Sequence, residues 1–193
     1  MMSDSILETT ATIANLLAAY EGESNAHSKY VLFAAKAESE GWQGAASLFR
    51  AAARAEEIHA SNHARVLKQL GSEARCQIHP AEVKSTLENL KAALAGEQYE
   101  IDTMYPAFIA ETAVSDIPIA KRSFTWAMEA EKTHARLYAQ VIELVETRRT
   151  DSWAASACNF YVCAACGYTT RTPEEQDRCP VCNLAFDKFE VIR

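Results

Sequence analysis

Glycine and proline together supply only 11 of the 193 residues, too few for a fibrous or loop-dominated chain, and the apolar content is too high for a disordered one. Basic residues are short as well. Lys and Arg number 19 against 26 Asp and Glu, net -7, with no basic run to track a phosphate backbone, so no nucleic acid is expected as a partner. No stretch reaches about 18 uncharged apolar residues, so no membrane span is expected either. The opening MMSDSILETT is polar and acidic rather than a basic segment feeding an apolar one, and the cytoplasm is the expected compartment. What is plentiful is apolar: 49% of residues are hydrophobic, enough for one domain of about 150 residues with a small module beside it.

Cysteine is missing from most of the chain. Cys76 stands alone, while Cys158, Cys163, Cys166, Cys179 and Cys182 crowd into the last 36 residues. Paired CxxC sequences in an otherwise reducing-type chain mark a metal site rather than a disulfide framework. Cys76 and Cys158 fall outside that pattern and are expected as free or buried thiols.

Residues 5–149 read as helix. Ser5 with Glu8 forms a capping box, and Ile6, Ile13, Leu16, Leu17 and Tyr20 begin an apolar stripe at helical spacing. The first helix is predicted to reach about Glu40, where Gly41 and Gly44 interrupt it; the second ends at Gly71. After the polar connector SEARCQIH, Pro80 suits the first turn of a third helix over about Ala81–Ala113, with a bend at Pro106. Ser115 or Asp116 caps a fourth, with Pro118 in its first turn, running toward Glu146. Helices of roughly 30 residues, each near 45 Å, make a long all-α four-helix bundle. The predicted division is a bundle at 1–149, a linker at 150–157 and a module at 158–193. The module has a terminal strand-like alternation, FDKFEVI, and is too small to fold without a metal.

An internal repeat carries the chemistry. Gly22-Glu23 and Gly96-Glu97 lie on the first and third helices, while Glu56-x-x-His59 and Glu131-x-x-His134 lie on the second and fourth. The i, i+3 spacing puts carboxylate and imidazole on one helix face, one turn apart. One such motif arises by chance, but two copies, each following a Glu at a matching interval, reproduce the ligand pattern of ferritin-like di-iron or di-manganese bundles.

Glu100, one turn after Glu97, has no counterpart because Ala26 follows Glu23 at that spacing; it makes the two metal positions unequal. Five glutamates stay within one charge of two ferrous or two ferric ions, which suits iron or manganese and a two-electron cycle. Hydrogen peroxide or dioxygen would take both electrons at once, avoiding release of a hydroxyl radical. Tyr30, one heptad beyond Glu23, and Tyr105 are placed either to hydrogen-bond ligand carboxylates or to pack the core. His63 sits one turn beyond His59, where the fourth helix has Tyr138. His27 and His79 lack convergent partners and are expected exposed; Glu21, Glu57 and Glu129 are surface or supporting groups.

In the tail, Cys163-x-x-Cys166 and Cys179-x-x-Cys182 form two knuckles that close a tetrahedral four-thiolate site for one iron or one zinc. Gly167 permits close approach of backbone amides to sulfur. An iron there returns electrons to the bundle one at a time. The tail is expected to lie too far from the ligands of its own bundle, so a head-to-tail homodimer is expected to bring it to the partner's.

The stretches YEGESNAHSKY, AEEIH, GEQYEIDTMYPAF, AEKTH, CAACGY and CPVC resemble a rubrerythrin over nearly the whole chain. The resemblance implies a ferritin-like bundle with a rubredoxin-like domain containing short β-strands. It further implies a non-haem di-iron peroxidase that reduces hydrogen peroxide to water, linked indirectly to NADH through an electron-donor reductase or a rubredoxin-like protein. Carried over, Glu23, Glu56, Glu97, Glu100, Glu131 and His134 are the di-iron ligands, and His59 replaces Glu100 on reduction. Cys163, Cys166, Cys179 and Cys182 hold the mononuclear iron, with zinc or manganese as substitutes for iron; Tyr30 and Tyr105 lie near the cluster. The competing expectations are a ferroxidase or iron-storage protein and a non-enzymatic zinc-ribbon adaptor on a metal-stabilised bundle.

Overall fold

The computed structural model describes residues 2–172 and 177–193, with the side chains of residues 2–8, 113 and 114 outside the described set. Helices α1 (Met2–Ser39), α2 (Gln43–Gln69), α3 (Thr86–Tyr99), α4 (Tyr105–Ser115) and α5 (Pro118–Glu146) are followed by strands β1 (Phe160–Cys163), β2 (Thr169–Thr170) and β3 (Phe189–Ile192). A π-helical turn, Glu100–Met104, joins α3 to α4 in one rod, so the bundle has four rods as expected. The strands form an antiparallel sheet in the order β2-β1-β3.

Helix ends follow local chemistry. Gly71, at φ +77°, closes α2 with the paired bonds of a Schellman motif: Ser72 N–H to Leu67 O at 2.9 Å and Gly71 N–H to Lys68 O at 3.2 Å. The third rod starts at Thr86 rather than near Ala81, and Pro80 belongs to the extended connector. Its start is a capping box in which Ser85 accepts from the Glu88 amide and Glu88 accepts from the Ser85 amide. The signal Ser85-x-x-Glu88 outweighs the proline because it satisfies two otherwise orphaned amides. Ser85→Ala is expected to cost about 1 kcal/mol, seen as a lowered urea midpoint with an unchanged slope.

Ser5 does not cap α1, which begins at Met2; the Ser5 and Glu8 side chains lie outside the described residues. Neither Ser115 nor Asp116 caps α5. Ser115 ends α4, Asp116 turns left-handed at φ 48°, and Ile117 takes the cap position.

Gly44 does not interrupt a helix either. It sits in the first turn of α2, where the Ala154 carbonyl accepts from the amides of Gly44 (2.9 Å) and Ala45 (3.1 Å). A Cβ at Gly44 would fall 1.8 Å from the Trp153 carbonyl oxygen, so glycine lets residues 147–159 cross the helix end and satisfy it. That crossing turns the tail back along the bundle. Arg54 of α2 then clamps Glu190 of β3 through two bonds of 2.7 and 2.8 Å.

The bundle interior is two apolar clusters with a polar layer between them. One contains Tyr30, Phe33, Phe49, Leu90 and Tyr138; the other Leu16, Leu67, Tyr105 and Phe124. No helix among the described residues is long and apolar enough to cross a membrane.

Candidate metal centre

The layer between the two clusters is built of acids and histidines. Glu23 comes from α1, Glu56 and His59 from α2, Glu97 from α3, and Glu131 and His134 from α5; each is at most 1% exposed. Their ligand atoms form two groups, Glu23, Glu56, His59 and Glu131 in one, Glu56, Glu97, Glu131 and His134 in the other, with all atoms of a group within 4.8 Å of one another. Glu56 and Glu131 belong to both, so the two groups are neighbouring positions bridged by two carboxylates.

Both imidazoles present the same nitrogen to this layer. His59 Nδ1 lies 2.7 Å from Glu131 and 3.0 Å from Glu56, while His134 Nδ1 lies 2.7 Å from Glu131 and 3.5 Å from Glu97. Their Nε2 atoms point away, to the Cys166 carbonyl and to Thr169 Oγ1, each at 3.1 Å. The Thr169 hydroxyl donates to the Gly167 carbonyl at 2.9 Å, so it accepts from His134 Nε2–H. A carbonyl can only accept, so His59 Nε2 also carries a proton. Each ring therefore keeps Nδ1 for the acids, the tautomer a metal ligand requires.

Tyrosines fix two of the carboxylates. Tyr30 donates to Glu97 at 2.6 Å, and Tyr105 donates to Glu23 through a short bond. Burial, with the charge of Glu97 or Glu23 adding, holds both phenols well above their ordinary range, so they stay donors. His63 supports Tyr105 (3.1 Å) and meets Ser123 Oγ (2.8 Å); burial pushes it down to about 3, keeping it neutral. Ser123 gave no signal in the sequence, being one hydroxyl among many. His79 is exposed as expected, whereas His27 is half-buried and bonds the Ala53 carbonyl at 2.7 Å, closing a gap between α1 and α2.

Glu100 is not brought into either group. It opens the π turn, half-buried, and lines a cavity of about 200 Å³ with Gly22, Lys29, Tyr30, His79 and Gly96. The π turn also explains a spacing. Tyr30 follows Glu23 by seven residues, but Tyr105 follows Glu97 by eight, because the wider turn, with Tyr105 N–H bonded to the Glu100 carbonyl, takes up one extra residue. Pro106 has no N–H to give Asp102, which favours loosening the helix there.

These residues fit a cation pair. Glu23 Oε2, Glu97 Oε2 and Glu131 Oε1 are buried with no aligned hydrogen-bond donor, which is costly unless a positive charge satisfies them. Four carboxylates, two of them shared, with two neutral imidazoles balance two divalent ions.

Without metal, protons take over that role. Burial, with the charges of Glu131, Glu97 and Glu23 adding, raises Glu56 well above the carboxylate range; burial likewise lifts Glu97 to about 8 and Glu100 well upward. Burial opposes ionisation of His59 and His134, but the facing Glu131 charge outweighs it and raises both. Burial would raise Glu131 too, yet those two imidazoles hold it well below its ordinary value. Five groups thus bind protons more tightly folded than unfolded, so their stabilisation is present at low pH and lost as pH rises from the ordinary values of 4.5 and 6.5 through about 8. Glu131 and His63, shifted down, act oppositely as pH falls below 4.5 and 6.5. The metal-free chain is expected to lose on the order of 10 °C in Tm between about pH 5.5 and pH 8, and metal loading to abolish the loss. Scanning calorimetry at several pH values checks this.

The tail holds the second site. Cys163, Cys166, Cys179 and Cys182 gather their sulfurs within 4.8 Å of one another, with Sγ–Sγ separations of 3.4 Å (Cys163–Cys182) and 3.5 Å (Cys166–Cys179). A tetrahedron of about 2.3 Å metal–sulfur bonds has edges of roughly 3.8 Å. Each knuckle closes with an amide bonded four residues back, Gly167 to Cys163 and Asn183 to Cys179, both at 2.9 Å, and both closing residues have positive φ. Cys76 is exposed and Cys158 half-buried, both as free thiols.

Contrary to expectation, this module rests on its own chain's bundle, against the ligand layer. Besides the His59 and His134 contacts, Asn62 Nδ2 donates to the Ala165 carbonyl at 2.8 Å. The ligands lie midway along a long bundle, and the turn at residues 147–159 brings the tail back to them. Gly167 has a use beyond its amide: a Cβ there would stand 2.3 Å from His59 Nε2.

A ferritin-like bundle with two adjoining carboxylate–histidine groups and an attached four-thiolate site defines a class, the non-haem di-metal redox proteins that carry their own electron relay. The rubrerythrin family profile matches residues 14–142, and the chain belongs to the rubrerythrin family. Rubrerythrin-2 of Clostridium acetobutylicum is 34% identical over 179 residues, 92% of this chain and 94% of that one. Nigerythrin of Nitratidesulfovibrio vulgaris is 34% identical over 191 residues, 98% and 90% respectively. The solved structure of nigerythrin in its fully reduced, all-ferrous state matches with a TM-score of 0.83 at 34% identity, covering 93% of this chain and 86% of that one. The two ligand sets match rubrerythrin peroxidase chemistry, a di-iron redox centre re-reduced through an iron–thiolate site.

Proposed function

We propose that this rubrerythrin-type peroxidase reduces hydrogen peroxide to water at an iron pair held by Glu23 and His59 on one side, Glu97 and His134 on the other, with Glu56 and Glu131 spanning both. The observation that carries the reading is the sharing of Glu56 and Glu131 between two buried ligand groups whose histidines reach the four-thiolate module with their other nitrogens. When bound, two ferrous ions supply the two electrons that cleave the O–O bond.

The chain's own residues do the rest. Tyr30 and Tyr105 fix the orientation of Glu97 and Glu23. Glu100, kept protonated by burial, faces the cavity beside the site and is positioned to pass a proton to a leaving oxygen. The family resemblance makes Glu100 and His59 the pair that would exchange at one metal position with oxidation state, and in keeping with it His59 belongs to a ligand group while Glu100 stands outside both. The carboxylate adds one negative charge on the oxidised side, where two ferric ions need it.

Cys163, Cys166, Cys179 and Cys182 would hold the iron that supplies electrons to the bundle, and the His59 Nε2–Cys166 carbonyl bond of 3.1 Å directly joins the two sites. The bundle of residues 1–149 is the oxidised half, 150–157 the linker and 158–193 the relay. An NADH-linked reductase or a small redox protein supplies the relay in the cytoplasm, and a homodimer is the working assembly. Zinc or manganese can replace iron without this cycle. Iron storage leaves the relay without a task.

Anaerobic iron loading tests the proposal. Roughly three irons per chain, with one peroxide oxidising the bundle pair, are expected. A single thiolate-bound zinc with no iron among the glutamates would exclude it.

A further inference from the structure

The surface beside the relay differs in charge from the rest of the chain. From Ile58 to Ser72 and from Ile117 to Met128 there is no Asp or Glu, although the whole chain carries net -7. These segments pack side by side as parts of α2 and α5 and bring the exposed Arg65 and Arg122 to opposite walls of one cleft. Among the described residues neither has a carboxylate partner, and Arg65 bonds only Asn62 (3.2 Å) and Ser61 (3.4 Å). Several other cations are paired with carboxylates, as in Lys36–Glu40, Arg54–Glu190, Lys91–Glu146 and Lys132–Glu129.

The patch borders a cleft of about 140 Å³ between α2 and α5. Two of its lining residues, Asn62 and Trp126, touch the thiolate module. Asn62 donates to Ala165, between the first two cysteines, and Trp126 packs directly on the cysteine cluster with the Arg122 guanidinium 5.4 Å above its ring. The two guanidiniums therefore flank the face at which Asn62 and Trp126 touch the thiolate module.

We propose that this face is the docking surface for an acidic one-electron carrier protein, an inference that rests on the relay role assigned to the four-thiolate site. Net negative charge repels such a carrier everywhere else and the patch attracts it here, so orientation is set before contact. The carrier is oxidised by one electron and the thiolate-bound ferric iron is reduced to ferrous; no bond or proton moves. Two such encounters serve each peroxide.

Reduced flavodoxin, an acidic carrier, is the probe, and hexaammineruthenium(II), a small cation, is the control. Stopped-flow reduction of the iron-loaded protein by flavodoxin is expected to slow steeply with salt. The variant Arg65→Glu/Arg122→Glu is expected to lower the rate at low salt about tenfold and flatten the salt dependence. Arg65→Gln/Arg122→Gln should fall between, and reduction by the ruthenium complex should not slow. Calorimetric titration of oxidised flavodoxin into protein with zinc on the thiolates is expected to show binding that the charge-reversed variant loses. Unchanged salt dependence and affinity in that variant, with the thiolate-iron spectrum intact, would overturn the docking face. Absence of peroxide consumption when the ruthenium complex supplies electrons would overturn the peroxidase reading and leave the docking result standing.

Discussion

Glutamine in place of Glu131 is expected to strip iron from both halves of the bundle site. Glu131 contributes an oxygen to each ligand group and lies 2.7 Å from both His59 Nδ1 and His134 Nδ1. It is the carboxylate that those two imidazoles hold in its charged form. The amide keeps the volume but loses the charge, and its NH₂ group faces the position of one metal or the other. Bundle iron should fall from about two per chain to well under one, and peroxide turnover at least about a thousandfold, with the thiolate iron spectrum unaltered. Glu97→Gln, which touches one group only, should retain one bundle iron. Full retention of both irons in Glu131→Gln would remove the bridging role.

Gly167→Ala should remove no ligand and still disconnect the two sites. The residue has φ +77°, and a Cβ would meet His59 Nε2 at 2.3 Å, His59 Cδ2 at 2.9 Å and the Ala55 Cβ at 3.2 Å. The left-handed backbone alone costs about 1–2 kcal/mol with a side chain. The contact itself can be relieved only by lifting the module or turning the ring, and either breaks the bond from His59 to the Cys166 carbonyl. Prereduced protein should be oxidised by peroxide near the normal rate, whereas transfer from thiolate iron to bundle should slow at least about tenfold. Cys163→Ser should block the same re-reduction by a different route, losing the thiolate iron spectrum as well. A Gly167→Ala protein with normal internal transfer would show that the contact is only packing.

How far the sequence can be read differs between the two sites. The four cysteines and both Glu-x-x-His motifs are written as fixed local spacings, and a knuckle or one helical turn converts each directly into geometry. The eight-residue step from Glu97 to Tyr105, against seven from Glu23 to Tyr30, was visible in the same repeat and marks the π turn. Ser85-x-x-Glu88 was equally visible as a helix start, and Pro80 drew attention from it.

Other features had no local signature. Gly44 resembles a helix breaker until the Trp153 carbonyl is seen against it, and Ser123 is unremarkable until His63 is found beside it.

By itself, then, the sequence determined the bundle, the ligand types, their pairing by helix and the thiolate site, because periodicity and short-range spacing act within one element. Tertiary structure alone decided which Glu stands out of the ligand groups, which nitrogen each histidine keeps for the metal layer, and that the relay folds onto its own bundle. Those outcomes depend on contacts between residues far apart in the chain, such as His59 with Cys166 and Arg54 with Glu190. Each such contact is selected by the packing and charge of the assembled fold, on which a local pattern carries no information.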